Sequence, residues 1–472
     1  MTDFRTERDT MGEVRVPTDA LWGASTQRAV ENFPISGFRF PRAFLEALGL
    51  VKWACAEANM ELGLLDRKLG AAIVAAAKEV AAGKHDAQFP LDIFQTGSGT
   101  STNTNANEVI ASVANVALGG AVGAKKPVHP NDHVNMGQSS NDVIPTAIHL
   151  AVLIAMDREL VPALERLHGA LAGKARAWDG IVKSGRTHLM DATPIRLGQE
   201  FSGYASQVEH AVARVRGTYR HLAELALGGT AVGTGINAHP DLAANAIARM
   251  GRETKLPLVR APNAFEAQAA QDALIEASSA LRVAAASLFK IADDVRLMGS
   301  GPRTGLAELK LPELQPGSSI MPGKVNPVIP EAVIQVSVQV FGNDAAVAAA
   351  GLANHLDLCT MMPVMAHNLL QSVHLLARAS EVFREKCIEG LQPNLDKIQR
   401  DAELSTAIVT RLNPIIGYDR AAELAKESMR SGKTVKELVI EKGILPKAEA
   451  ERLLDPKALT EPNKDLLGSG GG

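Results

Sequence analysis

The sequence predicts a mainly α-helical protein organised round a bundle of long helices, and three observations carry this. From Ala264 to Met298 there is no Gly or Pro, and apolar residues recur at Leu274, Ala277, Leu281, Leu288, Ile291 and Val295. That spacing of three and four puts them on one stripe of a helix. Unbroken, such a helix would run about 50 Å at 1.5 Å per residue. Two further seams read Leu160, Leu164, Leu167, Leu171, Trp178 and Val208, Val212, Val215, Tyr219, Leu222. Seams this long belong to bundles, within a chain or between subunits. β-rich segments are scarce: Glu13-Val14-Arg15-Val16 alternates polar and apolar between Gly12 and Pro17 and reads as a minor strand.

The 472 residues exceed one compact core. Three parts are expected: residues 1–137 with mixed helices and Gly-rich loops, a long helical core over 138–395, and a small helical part over 396–467. In the last, Leu412-Asn413-Pro414-Ile415-Ile416-Gly417 breaks the chain before two short helices. Residues 468–472, Gly-Ser-Gly-Gly-Gly, read as an appended tail. No repeat of fixed period occurs.

Apolar residues make up 46% and charged residues 21%, with net charge −3 and no basic run, which argues against a nucleic-acid partner. No uninterrupted apolar stretch reaches membrane-spanning length. The first residues are charged and lack the apolar core of a signal peptide, so a cytoplasmic location is expected. Cys55, Cys359 and Cys387 lie far apart, outside any Cys-x-x-Cys pair, and read as reduced, buried thiols.

The segment Pro316-Gly317-Ser318-Ser319-Ile320-Met321-Pro322-Gly323-Lys324-Val325-Asn326-Pro327 cannot be a helix interior or a central strand. Its two hydroxyls, one ammonium and one carboxamide suit a loop that holds a small carboxylate-bearing anion. Three other segments concentrate small polar residues: Thr96-Gly97-Ser98-Gly99-Thr100-Ser101-Thr102-Asn103; His129-Pro130-Asn131-Asp132-His133 with Ser139-Ser140-Asn141-Asp142; and Gly185-Arg186-Thr187-His188. Singly, each has a plainer reading, as a helix N-cap or a hydrogen-bonded core histidine. Together they suggest one site, with hydroxyls, amides and helix-start N–H groups round a dianion and a Ser and a His moving protons. Other chemistries lack support. There is no His-Glu-x-x-His pair and no Gly-x-Ser-x-Gly elbow. Gly233-Thr234-Gly235-Ile236-Asn237-Ala238 imitates a dinucleotide fingerprint, but no β-rich run precedes it.

The 316–327 loop resembles the signature of the fumarase/aspartase superfamily, and the other segments resemble its class II fumarase branch. The likeness runs from Met11-Gly12 to Gly417-Tyr418-Asp419. It implies a three-domain, all-α fold whose first part is the N-terminal lyase domain and whose long helices form a shared bundle. It also implies a homotetramer with each active site built from three subunits, and reversible hydration of fumarate to L-malate without metal or organic cofactor. In this resemblance Ser318 is the base for the C3 proton, and His188 protonates the departing C2 hydroxyl. Glu331 polarises His188, and Lys324 and Asn326 stabilise an aci-carboxylate dianion. Ser98, Gly99, Thr100, Ser139, Ser140, Asn141, Thr187, Ser319 and Val325 would bind substrate. Lys126, His129, Pro130, Asn131 and Asp132 would form a second, peripheral dicarboxylate site.

The chain departs from the pattern in three places. Lys126 stands where many relatives carry Arg, a poorer match to a bidentate anion. Val328-Ile329-Pro330 before Glu331 resembles the aspartase version, and that of some bacterial fumarases, more than the commoner fumarase one. Asp357 and Cys359 replace the commoner Glu and Asn. The rival readings are an aspartate ammonia-lyase, against which His188 and Gly323 both speak, and a catalytically silent helical assembly protein.

Overall fold

The computed structural model describes residues 3–462, so the tail at 468–472 lies outside the described residues. The chain forms two compact units. One comprises Met1–Ala163, Ala211–Ala285 and Val336–Arg378; the other comprises Leu164–His210, Ala286–Gln335 and Ala379–Gly472. Helices Val161–Ala177, Leu197–Gly217, Asp272–Met298, Val328–Gly351 and Met362–Phe383 each have a segment in both. The first three are the helices that the seams predict, except that Tyr219 and Leu222 fall in a separate short helix, Tyr219–Leu222; Leu164, Leu167, Leu171, Val208, Val215, Leu274, Leu281, Ile291 and Val295 are all buried.

The run from Ala264 is not one helix. A short helix, Ala264–Ala269, precedes Asp272–Met298, and Ala270 between them is extended. In an unbroken helix the Gln268 carbonyl would accept from the Asp272 amide. Here it accepts instead from the Cys359 N–H at 3.1 Å. The Gln268 side-chain amide also donates to the Thr230 carbonyl at 2.7 Å. Tertiary hydrogen bonds therefore end a helix that periodicity alone would continue.

The expected strand is Gly12–Pro17, and it pairs antiparallel with Phe4–Asp9. The partner has four charged residues in six and one apolar residue, so it carries no alternation signal. Arg5 pins it, donating to the carbonyls of Pro17, Ala20 and Trp22. A second hairpin pairs Val182–Thr187 with Met190–Arg196.

Helix Ala24–Asn32 begins at Gly23, which has no side chain to cap it. Two carboxylates satisfy its first amides: Glu108 accepts from Gly23 at 2.8 Å and from Ser25 and Thr26 at 3.2 Å, and Glu7 accepts from Ala24 at 3.0 Å. Near the C-terminus, Ile408, Val409, Leu412, Leu424, Leu438, Val439 and Leu454 form a small apolar cluster of their own.

Among the described residues, helix Val328–Gly351 is long and apolar enough to cross a membrane by length and composition, although only 33% of that window is buried. Sequence inspection for uninterrupted apolar runs passes over it because Glu331, Asn343 and Asp344 interrupt the run. Asp344 is held by the Ser278 hydroxyl at 2.7 Å and by Arg282 at 3.0 Å.

Candidate active site

Two polar segments sit at helix starts in the first unit. Gly99, at φ 72°, is the N-cap of helix Thr100–Ala117. A Cβ there would meet Ile144 at 2.9 Å, and the positive φ also favours glycine. Ser98 is buried, and its hydroxyl lies 2.7 Å from that of Thr100. Ser139 caps helix Ser140–Ala155 with a capping box: its hydroxyl accepts from the Asn141 amide at 3.2 Å, and Asp142 accepts from the Ser139 amide at 2.9 Å. Asn103 donates to the Ser140 hydroxyl at 3.5 Å, linking the two starts. Asn141 donates to the Ala231 carbonyl at 2.8 Å. Amide dipoles and hydroxyls gathered at two linked helix starts favour an anion.

This pair of starts rests on a buried polar network. Lys52 is fully buried and donates to Asn135 Oδ1 and Gln138 Oε1, both at 2.9 Å. Asn103 and Asn107 donate to the same Asn135 oxygen at 3.2 Å. Burial pulls the Lys52 ammonium down to about 7 and pushes the neighbouring Cys55 thiol up to about 12. Asp142 receives two further amides, from Gly228 at 2.9 Å and Thr230 at 3.0 Å.

In the second unit, Thr187 ends a strand and pairs with Met190, so His188 and Leu189 form a two-residue turn. Both have positive φ, 55° and 61°. That is the type I′ arrangement, for which Asn-Gly is the favoured pair. A His and a Leu held there mark a strained, exposed tip of the sort that clusters at functional sites. Gly185 lies opposite a bulge, and a Cβ on it would fall 2.5 Å from the Thr193 carbonyl oxygen.

The 316–327 loop, in the same unit, is a closed hydrogen-bonded ring. The Gly317 amide donates to the Lys324 carbonyl and the Asn326 side chain to the Gly317 carbonyl, both at 2.7 Å. Lys324 Nζ donates to Asn326 Oδ1 at 2.8 Å. The Ser318 hydroxyl oxygen accepts from the amides of Ile320 at 3.3 Å and Met321 at 3.0 Å. Ser319 and Val325 are exposed on the loop, and Glu331 follows in the first turn of helix Val328–Gly351. Among the described residues, neither the His188 ring nor the Glu331 carboxylate makes a hydrogen bond within the chain.

At the peripheral segment, His129 caps a π-helical turn, Pro130–Val134. Its Nδ1 accepts from the amides of Asn131 at 3.2 Å and Asp132 at 3.1 Å. A neutral ring therefore carries its proton on Nε2. Asn131, Asp132 and Lys126 are exposed, and Pro130 is buried.

Residues 12–342 match the lyase family model, and residues 408–461 match the model of the fumarase C C-terminus. The chain is 57% identical over 444 residues to the class II fumarate hydratase of Mycobacterium tuberculosis, covering 94% of this chain and 92% of that one. It is 57% identical to the Halobacterium salinarum class II fumarate hydratase, covering 97% of each. The chain belongs to the class II fumarase family. Its fold agrees with a crystal structure of recombinant class II fumarase from Schistosoma mansoni, with TM-score 0.95 at 37% identity over 98% of this chain and all of the other.

Within this fumarase-family chain, Lys52, Asn107, Asn135 and Gln138 were not singled out by sequence reasoning. The one signal for Lys52 is a lone cation inside the apolar run around Leu48–Ala56. Of the departures, Cys359 is buried, and its main-chain amide, which any residue there would supply, donates to the Gln268 carbonyl. The structure gives no reason for Asp357.

Proposed function

We propose that the protein is a fumarate hydratase, interconverting fumarate and L-malate in the tricarboxylic acid cycle. Ser318 as an anion takes the C3 proton of malate, and the electrons move onto the adjacent carboxylate as an aci-carboxylate dianion. The C2–O bond then breaks, and His188 supplies the proton with which the hydroxyl leaves as water. Lys324 and Asn326 face the developing charge, and Glu331 orients His188. The helix-start groups Ser98, Gly99, Thr100, Ser139, Ser140 and Asn141, with Thr187, Ser319 and Val325, hold the carboxylates and hydroxyl. The observation that supports this reading most is the pair of amides aimed at Ser318 Oγ. A serine is a weak base unless donors stabilise its anion, and this loop has two in place.

The same proposal includes a cytoplasmic homotetramer of three-part subunits, 1–137, 138–395 and 396–467, in which three chains complete each site. Exposed apolar side chains on bundle helices support it, among them Val338 at 60% and Phe341 at 46% exposure. Lys126, His129, Pro130, Asn131 and Asp132 act as a peripheral entry site for dicarboxylates.

Ultraviolet absorbance of fumarate formed from L-malate and from L-aspartate tests the reaction. Turnover of malate is expected; turnover of aspartate alone would establish an ammonia-lyase instead. Light scattering should report a tetramer, and a monomer with full activity would refute the shared site.

A further inference from the structure

The hairpin that ends in His188 is anchored by a buried cluster of ions. Glu308 is fully buried, and Lys183, in strand Val182–Thr187, is 2% exposed. Arg186 donates to Glu308 Oε1 at 2.7 Å. Lys183 Nζ lies 3.0 Å from Glu308 Oε2 as an ion pair and donates to Glu200 at 2.7 Å. Two cations thus face two carboxylates, and the cluster is neutral. In a regular strand, residues three apart point to opposite faces. Extra twist at the bulge facing Gly185 lets Lys183 and Arg186 reach one carboxylate.

Glu308 is itself fixed at both ends of its backbone. Its amide donates to the carbonyl of Met298, the last residue of the long helix, and its carbonyl accepts from Asn394, both at 2.8 Å. The chain therefore refers the position of Arg186, two residues before His188, to the end of a bundle helix. A plain stabilising role needs no charge here, because well-packed apolar residues serve as well as a buried ion pair. Directional ion pairs do fix the strand's register and the orientation of its turn.

We propose that Glu308, with Lys183 and Arg186, is a positioning residue for His188, setting the strained turn that presents the imidazole. This rests on the reading of His188 as the catalytic acid.

The test is Glu308→Gln, which keeps shape and removes charge, in two readouts. Hydrogen exchange of amides 182–191 should quicken by about tenfold or more, with the rest of the chain unchanged; unchanged exchange there overturns the anchor. Turnover should fall by about tenfold or more, with KM within about threefold, and in a His188→Asn background the same substitution should change turnover by less than about twofold. Losses that multiply would show that Glu308 acts apart from His188 and overturn the proposal. Should Glu308→Gln not fold, Lys183→Met, which leaves the Arg186 pair intact, must show the same pattern in both readouts. Wild-type protein inert towards malate and fumarate would overturn the His188 reading, and the exchange arm would still decide whether the cluster holds the turn.

Discussion

The Met321 amide points at the Ser318 hydroxyl oxygen from 3.0 Å, with the Ile320 amide beside it at 3.3 Å. A serine held this way has its anion's partners in position before any substrate arrives. Ser318→Ala removes the base and leaves the ring of loop hydrogen bonds intact. Steady-state rates should show turnover down by roughly a hundredfold or more, with little change in KM. Near-normal turnover would reject Ser318 as the base.

Asp142 has a different task. Its carboxylate collects the amides of Ser139, Gly228 and Thr230, tying the Ser139–Asn141 helix start to a loop far along the chain. In Asp142→Asn an NH2 group must face amide donors. Loss of about 2–4 kcal/mol of stability is expected, with a raised KM. Denaturant midpoints and initial rates check this; a variant as stable as wild type would mean that the three amides find other partners.

Gly97 lies against the main chain of Thr360, whose carbonyl oxygen leaves no room for a Cβ, and its own carbonyl accepts from the Met362 amide. Gly97→Ala must therefore shift the Ser98–Thr100 segment. KM should rise by about tenfold or more while the thermal midpoint falls only a few degrees. An unchanged KM would remove that segment from substrate binding.

Lys52 makes stability depend on pH with a definite sign. Its folded value is about 7 against an ordinary 10.5, because burial disfavours the ammonium. Between those values the unfolded chain holds a proton that the folded chain lacks. Stability therefore rises with pH across this window, by up to about 1.4 kcal/mol per pH unit, and the slope vanishes below about pH 7. Lys52→Met should lose this increment. Denaturant midpoints taken near pH 7 and near pH 9.5 should show wild type gaining on the variant, and a gap moving the other way would refute the depressed ammonium.

Much of this was legible in the chain because helices and signature loops are local. Leu274 to Val295 announce their helix by spacing alone, and the 316–327 loop by its Pro and Gly content. The break at Ala270 was not legible, since it depends on an amide at Cys359 arriving from elsewhere. Nor was strand Phe4–Asp9, whose charged residues carry no alternation and whose pairing depends on Arg5 reaching three distant carbonyls. In the candidate site, Ser98, Ser139, His188 and Ser318 stand in recognisable segments. Lys52 and Asn135 do not, because a buried polar network has no sequence period. The turn at His188 and Leu189 was also hidden: no Asn or Gly marks it, and the register of two strands forces it.

Glu108 has a consequence for how the chain folds. The Gly23 amide at the start of helix Ala24–Asn32 receives its partner from a residue 85 positions later. As the chain leaves the ribosome, Glu7 can take the Ala24 amide, but those of Gly23, Ser25 and Thr26 have no carboxylate until helix Thr100–Ala117 exists, and loop closure over such a separation is slow beside local helix growth. The N-terminal helix is therefore early in synthesis and late in folding. A truncation that stops before Glu108 should leave it frayed, however intact its own sequence.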